Sequence, residues 1–271
     1  NRWASSTCGR RVIEAMAKLD PQILAHLEWI GFVRPTGLVV SAPALVRAGA
    51  ILNRRDAEGQ RLVNQHVESE QRRTDRVREA ASAYGRATPD ADASIGDFHA
   101  FAATVLGWSF SPKGYAGTTD SPIPAELEVP IADAGELLRP DYAVRELDPQ
   151  NGAPPWQLLV CVLTTGEDFD SEKGKGRLAL SPHSRMERLL RQTGVQAGLL
   201  VNGQALRLVS APRGESSGWL DFRVADMMQT AGRPIVSAMR LLLSETRLLA
   251  LPRQQRLAAL LADSRKFQNE V

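Results

Sequence analysis

Asp141 follows Pro140 at the head of one apolar segment, and a second apolar run, Trp156 to Thr164, comes after a Pro-rich turn. That layout suits metal-dependent phosphodiester cleavage. An acid at the start of one strand and Asp/Glu-x-Lys on the next converge on one metal, because residues i and i+2 share a strand face. The carboxylates hold Mg²⁺ against the scissile phosphate, the ion lowers the pKa of the attacking water, and the lysine orients that water. Here Asp141 fills the first place, but Cys161 and Leu163 fill the other two. Leucine cannot hold a water or balance phosphate charge, and a neutral thiol is a poor ligand for a hard cation. No slip of register restores the pair: the residues two before Lys18, Lys113, Lys173, Lys175 and Lys266 are Met16, Ser111, Ser171, Lys173 and Ser264. These positions therefore read as a degenerate site, with no catalytic residue expected, no cofactor bound, and Asp141 a weak metal candidate whose simpler role is capping a turn or pairing with an arginine. The acids Glu167, Asp168, Asp170 and Glu172 read as a solvated loop.

The elements that must position these residues follow from periodicity. Tyr142 to Leu147 and Trp156 to Thr164 read as strands, the second nearly unbroken in its apolar character and so buried on both faces. Ser181-Pro182 opens a helix with Met186, Leu189 and Leu190 inward and Arg185, Glu187, Arg188 and Arg191 outward. Val195 to Val201 is another buried strand. Asn202-Gly203 signals a type I′ hairpin into Ala205 to Val209, and Trp219 to Arg223 suggests a further strand. Before this, helical spacing runs from Arg10 to Ile30 with a break at Pro21, and Gly31 to Val46 suggests a turn and a short extended segment. Pro43 to Ala83 predicts a long polar helix. Its run Arg72, Arg73, Arg76 and Arg78, interleaved with Glu68, Glu70, Asp75 and Glu79, reads as a solvated ion-paired face. Gly85 to Ala93 is a linker, Ser94 a cap for a helix bearing Phe98, Phe101, Val105 and Leu106, and Gly107 to Pro124 a loop. Val224 to Leu243 and Arg253 to Val271 return to helix. The class is α/β (α+β), divided as a helical region 1–84, a mixed-sheet domain 94–223 and a helical connector 224–271.

Composition narrows the function classes. The 271 residues, 43% hydrophobic and 24% charged, can bury a substantial core, and the net charge of +2 is nearly neutral. Of 33 basic residues 28 are arginine, which suits bidentate phosphate contacts, although GC-rich coding gives the same excess. Cys8, Cys161 and the four histidines show no zinc spacing. No apolar run reaches membrane-spanning length, so a cytoplasmic location without membrane partners is expected. The chain starts at Asn1 and stops inside a helical pattern, which suggests part of a longer protein. Arg207 on the hairpin, Arg213 in the loop APRGESSGW, and the outward Arg185 and Arg188 are the candidate nucleic-acid contacts, with a solvated tight turn the alternative for Arg213.

One stretch carries a specific likeness. SPHSRMERLLRQTGVQAGLLVNGQALRLVSAPRGESSGWLDFRVADMM, Ser181 to Met228, resembles the corresponding region of large restriction-modification proteins that join a nuclease-like N-terminal domain to a SAM-dependent adenine methyltransferase. These include type IIG enzymes and the methylases of DISARM-type phage-defence systems. HLEWIGFVRPTGLVVSAPALV and SRKFQNEV resemble the same group, and GLLVNGQALRL has the form of a hairpin placed behind the PD-(D/E)XK core of the type I restriction motor subunit. The resemblance implies a restriction-endonuclease-like sheet in which Asp141 is the first nuclease acid and Cys161 and Leu163 replace the second acid and the lysine. It also implies DNA and other defence-system subunits as partners. S-adenosylmethionine is expected in a domain beyond Val271, because neither a Gly-rich cofactor turn nor an Asn-Pro-Pro-Tyr loop occurs here. The expected function is a noncatalytic DNA-binding or assembly module of a site-specific DNA adenine N6-methyltransferase. The alternatives are an active Mg²⁺-dependent nuclease using Asp141 with other ligands, or a structural scaffold whose charged helix docks another protein.

Overall fold

The computed structural model describes residues 20–33, 35–83, 92–131, 136–150, 152–172 and 180–269. The part of the first predicted helix before Asp20, and the predicted linker as far as Ala91, lie outside the described residues. Helix α1 (Pro21–Phe32) is capped by Asp20, whose carboxylate accepts from Gln22 N at 2.8 Å, with Pro21 in the first turn. It buries Trp29 and His26; Trp29 Nε1 donates to His26 Nδ1 and His26 Nε2 donates to the Ala50 carbonyl. This fixes a neutral imidazole, and burial lowers its pKa. Helix α2 (Ala42–Arg47) follows, then α3 (Ala57–Ala83). The single helix predicted over Pro43 to Ala83 is thus two. Gly49, at φ +61°, ends the first, and Asp56, accepting from Gly59 N at 2.9 Å, restarts the second.

Helix α4 (Phe98–Phe101) continues as a π-turn over Ala102–Leu106. Asp97, not Ser94, is its cap, since the Asp97 carboxylate accepts from Ala100 N at 3.2 Å. The predicted loop after Gly107 contains a two-residue edge strand, β1 (Tyr115–Ala116), too short to leave a periodic signature. Strands β2 (Val129–Ile131) and β3 (Glu136–Leu138) form a separate small sheet. The main sheet is completed by β4 (Tyr142–Arg145), β5 (Trp156–Val162), β6 (Ala197–Val201), β7 (Ala205–Ser210) and β8 (Gly218–Arg223), in the order β1-β4-β5-β6-β7-β8. All pairs are antiparallel except β5 and β6. That parallel pair needs a crossover, which helix α5 (Pro182–Thr193) supplies. Ser181 caps α5, as its sequence predicted, accepting from Ser184 N at 3.1 Å. The β6–β7 hairpin is real, but Gly203 alone of its turn residues has positive φ, so the turn is not type I′. Asn202 closes it through Oδ1, which accepts from Ala205 N at 2.8 Å.

The predicted helix Val224 to Leu243 divides into α6 (Val224–Met227) and α7 (Arg233–Leu243). Between them Gly232 lies so close to the Asp226 carbonyl that a Cβ would sit 1.9 Å from its oxygen, and Pro234 then suits only the first turn of a new helix. Helix α8 (Leu257–Asn269) ends the described chain.

Alternation along the strands splits the core in two. Leu158, Val160, Leu199, Val201, Leu206, Leu208 and Leu220 meet Trp29, Val63, Val67, Phe101, Met239, Leu242 and Leu260, so residues of all three stretches separated in the sequence share one apolar cluster. On the other sheet face Leu159, Leu200 and Val209 meet Met186, Leu189 and Leu190 of α5 and Val129 and Ile131 of the small sheet. Burying the three α5 side chains contributes about 1.5–3 kcal/mol each, enough to hold the helix across the end of β5. Among the described residues no helix is long and apolar enough to cross a membrane.

Candidate functional site

The end of β5, the start of β4, α5 and the small sheet enclose a cleft of about 320 Å³. Asp141, Cys161 and Leu163 all line it, so the fold brings together the three positions that the sequence singled out. Pairing explains how. Asp141 N donates to Val160 O at 2.8 Å, Tyr142 faces Val160, and Cys161 and Leu163 share the β5 face turned to α5.

The chemistry at these positions is not that of a cation site. Asp141 Oδ2 accepts from Val162 N at 2.7 Å, so the carboxylate continues the β4–β5 ladder past the last backbone pair. Burial raises the Asp141 pKa above the usual aspartate range, against the opposing pull of that N–H and of the Arg139 charge. Burial likewise pushes the Cys161 thiol up to about 12, with the Asp141 charge acting in the same direction. Leu163 is half-buried, its N–H donating to Val201 O at 2.7 Å. One partly occupied carboxylate, a protonated thiol and an aliphatic side chain, with Glu167 the one further acid lining the cleft, fall short of the several oxygen ligands that Mg²⁺ requires. Among the described residues no group of three or more His, Cys, Asp or Glu side chains is placed to hold a metal ion. In the acidic loop Asp170 is held by Arg207 at 2.6 Å, and Asp168 accepts from Asp170 N at 3.0 Å.

Apart from Asp141 and Glu167 the cleft walls are apolar, including exposed Leu137 and Val162, and Arg139 and Arg185 also line it. Each guanidinium is balanced by a glutamate, Arg139 by Glu128 at 3.4 Å and Arg185 by Glu136 at 3.0 Å. Nothing in the local pattern marks Arg139 as lining a cleft, because its neighbours arrive from the β2–β3 sheet, whose strands are too short to leave a periodic signature.

The four candidate nucleic-acid arginines are placed unequally. Arg188 is exposed and makes no ion pair with a described residue. Arg185 lies on the same outer face of α5, and Arg191, bonded to Glu187 at 3.4 Å, extends the row at intervals of three. Arg213 is exposed at the end of this helix, donating through Nη2 to Gln192 O at 2.6 Å and through Nε to Arg191 O. It satisfies carbonyls of the last turn that lack a partner within the helix and places a cation at the negative end of the helix dipole.

Arg207 is different, being buried between the rings of Phe169 and Trp219, at 4.8 and 5.1 Å. It makes two bonds to Asp221, at 2.7 and 2.9 Å, and one to Asp170 at 2.6 Å. Its donors are thus occupied inside the protein rather than offered to a phosphate, a placement set by Asp221 on the facing strand β8. These pairs outweigh desolvation and raise its pKa. Beside it His183 is buried, 4.6 Å from the Trp219 ring, and neither ring nitrogen makes a hydrogen bond. Its Nε2 lies 3.4 Å from Glu187 Oε1, and burial holds its pKa below that of a free histidine.

No protein family, no curated protein and no solved structure matches the chain.

Proposed function

We propose that this chain is the noncatalytic, nuclease-like N-terminal module of a SAM-dependent DNA adenine methyltransferase of restriction-modification or phage-defence type, serving DNA binding or partner assembly. The observation that carries the noncatalytic reading is the state of Asp141. Its carboxylate accepts from Val162 N beside a protonated thiol and a leucine, where phosphodiester cleavage requires a second acid and a lysine. The row Arg185, Arg188 and Arg191 on α5, with Arg213 at its end, supports a phosphate contact that positions DNA without reading its sequence. The methyltransferase assignment rests on the sequence likeness over Ser181 to Met228, and places the methyl donor and the target base on a domain other than this one.

The test pairs binding with cleavage. The chain should retard duplex DNA with an affinity that falls as salt rises, because arginine–phosphate contacts release counterions. Supercoiled plasmid should stay intact in Mg²⁺. Nicking abolished by Asp141→Ala would overturn the noncatalytic reading, and the absence of salt-dependent binding would overturn the DNA contact.

A further inference from the structure

The first half of α3 packs against the rest of the protein through Gln60, Val63 and Val67, with His66 Nε2 bonded to Ile95 O and Glu70 lying against Gly96. At 3.6 residues per turn this packing face continues through Thr74 and Val77. Both are exposed, Val77 by 65%. Past Glu70 the helix has therefore outrun its apolar support. From Gln71 to Ala80 every residue is exposed except half-buried Arg78.

Charge is sorted around this half. Arg72, Arg76, Ser69, Ala80 and Arg73 follow one another around a single arc that runs from the side opposite the packing face to its edge at Arg73, while Glu68, Asp75 and Glu79 fall together on the adjoining flank beside Arg72. The interleaved sequence conceals that separation, which only the helical period reveals. Ion pairing does not consume the basic face: Arg73 reaches Glu70 at 3.7 Å, Arg78 reaches Asp75 at 3.8 Å, and Arg72 and Arg76 pair with no described residue.

We propose that the Arg72, Arg73 and Arg76 face of α3 is a contact for the phosphate backbone of nucleic acid, separate from the α5 row. The proposal rests on the DNA-binding reading for the kind of ligand and on a different helix for its evidence. A protein partner would need an apolar anchor to bury, and the exposed Val77 belongs to the packing side rather than to the arc that carries Arg72 and Arg76. Guanidinium groups suit phosphate oxygens, which accept two parallel N–H bonds. Ser69 and Ala80 are small enough to leave the arginines accessible at close approach.

Fluorescence anisotropy of a labelled random-sequence duplex, titrated with the whole chain at several salt concentrations, tests it. The combined variant Arg72→Ala, Arg73→Ala and Arg76→Ala is compared with Arg185→Ala, Arg188→Ala and Arg191→Ala. Alanine favours helix, so circular dichroism should be unchanged. Loss of three phosphate contacts should flatten the slope of log affinity against log salt by about 2.7. An unchanged slope in the α3 variant, with a flattened one in the α5 variant, overturns this contact and leaves the α5 reading standing. Flattening in the α3 variant alone upholds it and removes the α5 row. Absence of salt-dependent binding by the unaltered chain overturns both, and displacement by polyglutamate as effective as by duplex, at equal charge, overturns the choice of nucleic acid.

Discussion

If Asp141 is retained as a backbone acceptor rather than as a metal ligand, its charge should be dispensable while its acceptor oxygen should not. Asp141→Asn keeps an oxygen able to accept from Val162 N, now at 2.7 Å from the aspartate, and removes a carboxylate whose ionisation burial opposes. Asp141→Ala removes the acceptor as well. A net hydrogen bond is worth about 0.5–1.5 kcal/mol. Val162 is partly exposed, so water can replace the lost partner, and the alanine variant should lose about 1 kcal/mol. For a chain of this size that lowers Tm by about 2–4 °C. The asparagine variant should stay within about 0.5 kcal/mol of the parent at neutral pH, as expected of a change that preserves the contact. The sign with pH follows from the raised pKa. The folded state resists ionising Asp141, so its contribution to stability is full below the unfolded aspartate pKa and falls as pH rises through the higher folded value. Asp141→Asn should remove that part of the pH dependence. Urea unfolding of the three proteins across acidic and neutral pH measures all of this. An asparagine variant as unstable as the alanine one would refute the reasoning, because the negative charge itself would then be what the site requires.

Other residues give equally direct outcomes. Burial lowers the His183 pKa, so stability should be full above the unfolded histidine pKa and decline as pH falls through the lowered folded value; thermal unfolding of His183→Gln should lack that decline. With burial pushing its thiol up to about 12, half-buried Cys161 in a Cys8→Ala background should react slowly with thiol reagents at mildly alkaline pH until denaturant is added, and equal rates in native and unfolded chain would contradict the raised pKa. Arg207→Ala leaves Asp221 and Asp170 without their cation; because both acids are partly exposed, equilibrium unfolding should show a loss near the low end of the range for a broken buried pair, about 3 kcal/mol, and a loss well under 1 kcal/mol would show the pair to be weak.

What the sequence disclosed and what it withheld divide on physical lines. Strands β5 to β8 and helix α5 were legible because each carries a local signal: an unbroken apolar run, a Ser-Pro start, an Asn-Gly turn. The meeting of Asp141, Cys161 and Leu163 in one cleft followed from strand order and side-chain alternation. The interruptions were harder to read, since Gly49 and Gly232 break helices through backbone conformation and close approach that periodicity does not register. Strands β1, β2 and β3 are two or three residues long and exist through their pairings. Arg207 reads from sequence as a phosphate contact because it lies on the hairpin near the polar loop APRGESSGW. Only the placement of Asp221 on the facing strand and Asp170 on a distant loop shows it to be internal.

The most direct test of the account incubates the chain with supercoiled plasmid and Mg²⁺, then resolves binding and strand integrity on the same gel. The account predicts DNA that is retarded yet remains supercoiled, with Asp141→Ala behaving as the parent does. Mg²⁺-dependent conversion to open circle by the parent, lost in Asp141→Ala, would contradict it.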